Sequence, residues 1–407
     1  MKILLGGSPC TYWSIAQKNN RETEASGVGW ELFKNYLIAK EKFKPDYFLY
    51  ENNVSAAQPI KDQIKRELNV WDGTFLMPYT DVRYIEINSA LVSAQNRERF
   101  YVHNCGEVRL PKDRGILLRD VLENGLTDKD KAYCLRSKAG NTRDYFKKHH
   151  TQVAYEPCIF QQGHGYNDGG IKYGKCPTIT KSPSGYYGNG VVEPIQIGVI
   201  PTLRVNEATQ KGYAEIMEGE CVDLTQPNSK TRRGRSMSDK SNCLTTTNEF
   251  YQYCGTIKRP IYEVKDGKIT IKGKEYPIKL IDGFYIIRKL TVAECRRLQT
   301  VPDWYQMPCS DTQNYKMLGN GWTIEVIKHI LSHIPGIVSG EPIEVLSMYD
   351  GMSCGQIALK ELGANVVKYY ATEIDKYAIQ TTQANFPDTI QLGDAFQVRD
   401  EDWKIGD

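Results

Sequence analysis

The chain has 407 residues, 40% hydrophobic and 25% charged, with a formal net charge of +3. That length suggests two or three domains with a sizeable core, and so slight a charge permits a polyanionic partner without requiring one. No apolar run approaches the ~20 residues of a membrane span, no signal peptide is read at the start, and eleven cysteines without a C-x-x-C pair argue against a disulfide framework or zinc ribbon and for a reducing cytoplasm.

In chain order, residues 1–110 alternate strand and helix patterns. Ile3 to Leu5 is a short apolar run ending in glycine, Trp30, Phe33 and Leu37 recur at helical spacing, and Tyr47 to Tyr50 follows Pro45-Asp46 as a second strand. Such alternation predicts a parallel α/β sheet with helices on both faces. Residues 111–284 are rich in Gly, Ser, Thr, Asn and Tyr, with short strands between turns such as Asn167-Asp168-Gly169-Gly170 and Gly188-Asn189-Gly190. They predict a small, irregular, β-rich insertion. From residue 285 to 407 the first texture returns. Pro335, Gly336, Gly340 and Pro342 read as a linker, and Ile343 to Met348 as a buried strand opening a ligand-binding half at 343–407. The expected organisation is one catalytic domain in two outer pieces, split by a recognition domain.

Cys10 follows the first strand in Gly6-Gly7-Ser8-Pro9-Cys10. A thiol on a turn near a helix start can have its pKa lowered by backbone N–H groups, and the thiolate is a nucleophile. A lone cysteine is more often structural, so the partners matter. Glu51-Asn52 closes the second strand, and Gln95-Asn96-Arg97-Glu98-Arg99 precedes a third, with its two arginines on one side of a strand. Near the other end, Tyr349-Asp350-Gly351-Met352-Ser353-Cys354-Gly355 runs from a strand into a helix. Turns of small residues let backbone approach a nucleotide-like ligand. Glu373, with Ile374, lies about twenty residues on at another strand end, the spacing expected for ribose hydroxyls. Leu392-Gly393-Asp394-Ala395 gives a third strand end, placed for an adenine amino group. The glycine turn and strand ends alone also suit a nicotinamide enzyme.

These blocks together resemble the cytosine-C5 DNA methyltransferase family. Gly6 to Cys10 with Ser14 is similar to its catalytic loop, Glu51-Asn52 to its Glu-Asn-Val motif (Asn53 departs from the Val), and Gln95-x-Arg97-x-Arg99 to its Gln-x-Arg-x-Arg motif. Arg288 to Gln299 is similar to the block after its recognition domain, Leu318-Gly319-Asn320-Gly321-Trp322-Thr323 to its last motif, and Tyr349 to Gly355 to its first. The order differs: the catalytic loop comes first and the cofactor motif last. The resemblance therefore implies a Rossmann-like methyltransferase sheet, circularly permuted, with an inserted target-recognition domain.

The resemblance implies roles. Cys10 would add to C6 of a flipped cytosine, Glu51 would stabilise N3, Arg99 would hold O2, and Arg97 would orient Glu51 or a phosphate. S-adenosyl-L-methionine, leaving as S-adenosyl-L-homocysteine, would sit against Tyr349 through Gly355, Glu373, Ile374, Asp394 and Ala395, with Asn320, Gly321 and Trp322 closing its pocket. Residues 11–28 would close over the base. Pro9, Ser14, Asn52 and Gln95 are expected near the DNA, and Arg232, Arg233 and Arg235 are candidates for reading guanine or holding phosphate, or form a solvated charge run. No metal is expected: His149, His150 and His164 lack matching ligand spacing. The implied partner is double-stranded DNA, with no membrane, in a cytoplasmic monomer encoded by a bacterium or phage. A tRNA cytosine-C5 methyltransferase and a catalytically inactive DNA-binding relative are the alternatives.

Overall fold

Strand β1 (Lys2–Gly6) is covered on both faces, with Ile3, Leu4 and Leu5 all 0% exposed; an unbroken apolar run rather than an alternating one is what such a strand requires. The computed structural model describes residues 1–14, 21–71, 73, 79–135, 152–155, 158–161, 170–173, 189–192, 203–208, 210–216, 221–223, 236–237, 250–252, 261–271 and 274–405. The chain divides into one unit of Met1–Glu123, Lys129–Thr151 and Lys289–Asp407, and another of Asn124–Asp128 and Gln152–Arg288.

In the first unit, α1 (Gly27–Phe43) buries Trp30, Phe33, Tyr36 and Phe43 along one stripe. It stops at Lys44, which takes a left-handed conformation (φ 50°). Next come β2 (Tyr47–Asn53), α2 (Gln58–Glu67), β3 (Arg83–Asn88) and β4 (Glu98–His103). The later piece supplies α3 (Val292–Leu298), α4 (Asp311–Asn320), α5 (Ile324–Leu331), β5 (Ile343–Met348), α6 (Cys354–Glu361), β6 (Val366–Thr372), α7 (Lys376–Asn385) and β7 (Ile390–Gly393).

The seven strands form one sheet in the order β7-β6-β5-β1-β2-β4-β3. Every pair from β7 to β2 is parallel, while β4 runs antiparallel to both β2 and β3. One face packs Leu4, Tyr50, Leu346 and Met348 against Phe33 and Tyr36 of α1 and Ile60 and Ile64 of α2. On the other face Leu5 meets α6, and α5 packs on α6. This is the mixed α/β, Rossmann-like arrangement expected from the alternating texture. Its parallel strands all end on one edge, where ligands of such sheets bind.

The stretch Pro335 to Pro342, read as a linker, begins as a helical turn (Pro335–Ser339) and ends at Gly340 with φ 75°. Its burial of Ile337 (3% exposed) explains the difference: one apolar residue docks the segment. Residues near both ends of the described chain contact the C-terminal turn of α1. Met1 donates its amino group to the Pro342 carbonyl (2.9 Å), and Lys2 reaches the Phe43 carbonyl at the end of α1. Lys42, one residue earlier in α1, donates to the Asp400 carbonyl and lies over the Trp403 ring.

In the second unit, the strands Lys274–Pro277, Lys268–Ile271, Ile261–Lys265, Gly283–Lys289 and Gln152–Tyr155 form a five-stranded sheet. Two three-stranded sheets and a two-stranded one accompany it. Among the described residues no helix is long and apolar enough to cross a membrane.

Gly355 shows how tightly the sheet and α6 meet. A Cβ there would lie 2.5 Å from Leu5 Cδ1 and 3.2 Å from Tyr369 Oη. Gly355→Ala should destabilise the protein by ~1–3 kcal/mol through overpacking, measured by urea unfolding. Adding Leu5→Ala should cost less than the sum of the two single changes, because the second change vacates the space that the first one needs.

Candidate active site

Five strand ends deliver the candidate residues to one edge: Cys10 after β1, Glu51 within the end of β2, Tyr349 to Gly351 after β5, Glu373 after β6 and Asp394 after β7. Gly7 has to be glycine, because a Cβ would lie 2.9 Å from both the Glu51 carbonyl and Glu51 Oε2. Beyond it, Ser8 Oγ shares a hydrogen with Tyr50 Oη (2.7 Å), and Asn52 donates to the Ser8 carbonyl (3.0 Å), Ser8 Oγ and Tyr50 Oη. The loop is thereby fixed on β2, and Cys10 opens a single 3-10 turn, Cys10–Tyr12.

The electrostatics of Cys10 differ from the sequence expectation. Burial pushes the thiol up, Arg99 and then Arg97 pull it down, and Glu51 and Cys134 push it further up, leaving it raised overall. A short 3-10 turn supplies no helix dipole large enough to outweigh burial. The arginines are the groups that favour the thiolate.

Glu51 is held at both oxygens. Arg99 Nε lies 2.9 Å from Oε1, with both side chains about a tenth exposed, and Trp322 Nε1 donates to Oε2 at 2.9 Å. Burial works against the Arg99 charge, yet Cys134, Glu51 and Cys10 hold its pKa above the ordinary value. Arg97 acts elsewhere. It donates to the carbonyls of Gly319 (3.2 Å) and Gly321 (2.8 Å) and to Cys134 Sγ (3.3 Å). Arg97 therefore pins the turn around Asn320, and Arg99 is the residue that orients Glu51.

Two residues expected at the DNA are internal. Asn52 is 1% exposed and holds the Cys10 loop, while Gln95 is 0% exposed, donating to the Leu298 carbonyl and accepting from the Leu135 amide. Pro9 is exposed, and Ser14 is half-buried beside Asn53. The loop expected over 11–28 is shorter among the described residues. Trp13 is a core side chain at 0% exposure, and Gly27 and Val28 belong to α1. Arg232, Arg233 and Arg235 lie outside the described residues, as do His149, His150 and His164. Among the described residues no group of His, Cys, Asp and Glu could hold a metal ion.

The turn after β5 has φ values of 61° at Tyr349, 59° at Gly351 and 58° at Ser353. Neighbouring strand ends hold it in this conformation. Thr372 accepts from the Tyr349 and Asp350 amides, and Glu373 Oε2 accepts from the Gly351 amide (2.8 Å). Glu373 Oε1 takes the Ile374 and Asp375 amides. Met352, Ser353 and Cys354 are buried inward, and Gly355 abuts Leu5, so this half of the turn can offer a ligand backbone only. Ile374 (73% exposed) and Asp394 stand open at the edge, Ala395 is buried, and a Cβ on Gly351 would meet nothing. Asp350 Oδ1 accepts from Tyr369 Oη (2.9 Å), while Oδ2 is buried without a hydrogen bond. An open glycine, an acid on each of two strand ends and an orphaned buried carboxylate oxygen fit a polar, partly cationic nucleoside ligand.

Sequence reasoning missed Cys134. It lies in a stretch assigned to the insertion, yet belongs to the first unit, with Arg97 Nη1 and Arg99 Nη2 on its sulfur.

The model of the C-5 cytosine-specific DNA methylase family matches residues 1–336. The chain belongs to that family. A type II methyltransferase, M.BanI, of Aneurinibacillus aneurinilyticus is 23% identical over 360 residues, covering 82% of this chain and 80% of its own. An orphan methyltransferase, M.SPRI, of Bacillus phage SPR is 24% identical over 400 residues, covering 82% of each. The family and both relatives support DNA cytosine methylation as the activity.

The Asp350 carboxyl gives a pH signature. Burial raises the Asp350 pKa from 3.8 to about 6, against the pull of the Ser347, Ser353 and Tyr369 hydroxyls. Below 3.8 both folded and unfolded states hold the proton. Between 3.8 and about 6 only the folded state does, so stability falls as pH rises through this window, and above it the loss is complete. Asp350→Asn removes the loss. Its stability relative to the wild type should improve by ~3 kcal/mol across the window, read by urea titrations at pH values spanning 3.8 to about 6.

Proposed function

We propose that this chain is a DNA (cytosine-5)-methyltransferase, acting on a cytosine flipped out of a specific duplex sequence by way of a covalent bond between Cys10 and C6. A base inside the stack is unreachable, hence the flip. The observation that carries this reading is the Arg99–Glu51 pair, 2.9 Å apart and also bonded to Trp322, beside a thiol that both arginines pull toward its anion.

The residues then divide the work. Cys10 loses its proton and its sulfur bonds C6, and the electrons of the C5–C6 bond become available at C5. Glu51 bears on N3 as charge develops there, and Arg99 bears on O2 while keeping Glu51 oriented. Asn52 and Ser8 hold the Cys10 loop at its distance, and Arg97 and Trp322 fix the turn that borders the cofactor edge. When bound, S-adenosyl-L-methionine supplies an electrophilic methyl carbon. Glu373 and Asp394 are the acids for its ribose and adenine, and the orphaned Asp350 oxygen favours its cationic portion. After transfer a base takes the C5 proton and Cys10 leaves as thiolate. Sequence reading falls to the second unit, Asn124–Asp128 and Gln152–Arg288, with Arg232, Arg233 and Arg235 as its candidates. Action on cytoplasmic duplex DNA in a bacterial or phage setting is part of the same reading, supported by the origins of the two relatives.

Cys10→Ala should abolish transfer of tritiated methyl groups to duplex DNA while leaving duplex affinity nearly unchanged, since affinity comes mainly from phosphate contacts. Duplexes carrying 5-fluorocytosine should trap wild type, but not Cys10→Ala, as a denaturation-resistant complex, because fluorine at C5 cannot leave as a proton. Turnover by Cys10→Ala, or methylation of tRNA in place of duplex DNA, would defeat the reading.

We also infer that the chain is a circular permutant of its family. In support, β5 lies between β1 and β6 in one sheet although it follows β1 by more than 330 residues. The family match ends at residue 336, short of β5, β6 and β7. Both described chain ends also lie at the C-terminal turn of α1. A rearranged gene that begins near residue 341 and joins the present C-terminus to Met1 through a short flexible linker should give a folded enzyme with comparable methyl transfer. An insoluble or inactive product, with several linker lengths tried, would count against the permutation.

A further inference from the structure

We propose that Cys134 is a positioning residue whose sulfur is the shared acceptor of Arg97 and Arg99, holding the Arg99 guanidinium where it pairs with Glu51. Arg97 Nη1 lies 3.3 Å and Arg99 Nη2 3.9 Å from Cys134 Sγ. This rests on the methyltransferase reading of the site and adds to it a residue outside every family block recognised in the sequence.

The backbone delivers this sulfur deliberately. Residues 132–135 run alongside residues 94–97 through a parallel bridge between Gln95 and Ala132. The Ala132 amide donates to the Ala94 carbonyl (2.7 Å), the Asn96 amide to the Ala132 carbonyl (2.8 Å), and the Leu135 amide to Gln95 Oε1 (2.7 Å). Lys131 anchors the segment further, donating to the carbonyls of Ala90, Ser93 and Ile116. Cys134 is thereby fixed against the segment that carries both arginines.

Charge balance explains why a thiol stands there. Arg97 and Arg99 are 3% and 7% exposed, and a buried cation needs an anionic or well-aligned polar partner. Glu51 supplies one negative charge, to Arg99. Arg97 otherwise bonds neutral carbonyls. The sulfur is an acceptor within reach of both guanidiniums, and it also lies 3.6 Å from the Leu135 carbonyl. Burial works against its ionisation, but Arg97 and Arg99, by charge and by hydrogen bonding, bring its pKa below the ordinary thiol value. A sulfur there is large and polarisable enough to face two guanidiniums at once.

The groups acting on Cys10 make the proposal testable by sign. Arg99 is the largest charged influence lowering the Cys10 pKa, followed on that side by Arg97, whereas Glu51 and, less strongly, Cys134 raise it. If Cys134 merely sits nearby, deleting its charge relieves Cys10 and moves its reactivity to lower pH. If Cys134 positions Arg99, losing it releases the larger influence and moves Cys10 reactivity to higher pH.

The experiment is the pH profile of Cys10 alkylation by iodoacetamide, read by peptide mass spectrometry in the full-length protein. Wild type, Cys134→Ala, Cys134→Ser and Cys134→Asp are compared, with kcat, duplex affinity and urea unfolding measured on each. Cys134→Ser keeps the shape without the polarisable sulfur, so it reports even if Cys134→Ala fails to fold. The expected result is a shift of the Cys10 profile to higher pH in the Ala and Ser variants. A fall in kcat of about tenfold to a hundredfold at unchanged duplex affinity should accompany it, with partial recovery of both in Cys134→Asp. An unmoved or lowered Cys10 profile in Cys134→Ser overturns the proposal. Because alkylation needs neither DNA nor cofactor, it tests the positioning role even if wild type proves to methylate nothing, an outcome that would sink the functional reading alone.

Discussion

The candidate site depends on one buried ion pair. Arg99 and Glu51 meet at 2.9 Å with little exposure to water, and removing either partner would leave an uncompensated buried charge, a far larger penalty than losing a surface pair. The pair exists because β4 runs antiparallel to β2. In that register Arg99 stands opposite Asn53, and Glu51, two residues along β2, lies diagonal to it on the same face. A parallel strand in this position would present another set of side chains. The one reversed strand in the sheet is thus what brings a guanidinium to the acid, and Trp322, from the turn after α4, occupies the remaining carboxylate oxygen.

From that pair outward, each neighbour fixes something the next one needs. Arg97 ties the Gly319 and Gly321 carbonyls to the start of β4, and that turn aims the Trp322 indole. The Trp322 amide in turn donates to Cys354 Sγ at the head of α6 (3.3 Å). The buried Cys354 thiol, its pKa raised to about 12, serves as a neutral acceptor rather than a nucleophile. Glu51, the Trp322 turn and the turn after β5 are therefore one hydrogen-bonded path, and rigid placement of this kind is what an oriented reaction demands.

Much of this was legible in the sequence, for identifiable reasons. Unbroken apolar runs at Ile3 to Leu5 and Ile343 to Met348 mark strands buried on both faces, and Cys10, Glu51 and Arg99 were placed at strand ends, where the structure also has them. What stayed hidden depends on partners distant in sequence. Asn52 and Gln95 carry polar side chains that suit a DNA surface equally well, and nothing in their neighbours reveals that Tyr50, Ser8 or the Leu298 carbonyl will take up their hydrogen bonds. The direction of the Cys10 pKa turns on burial, which a glycine-rich turn does not disclose. Cys134 sits in a polar stretch with neither helical nor strand periodicity, and its significance comes from a single bridge to Gln95.

Chain order and spatial order separate cleanly in this fold. The hydrogen bonds between β1 and β5 link residues such as Leu4 and Leu346, and their strength does not depend on the route the chain takes between them. What chain order does change is the entropy of closing the loops, which grows only logarithmically with loop length. It also changes which segment must tolerate free ends. Beside the central strands, the Met1 amino group donates to the Pro342 carbonyl and the Met1 carbonyl accepts from the Glu344 amide, so the backbone groups there find partners. The ladder bonds and the Arg99–Glu51 register fix the geometry of the carboxyl edge whatever the order of the segments along the chain.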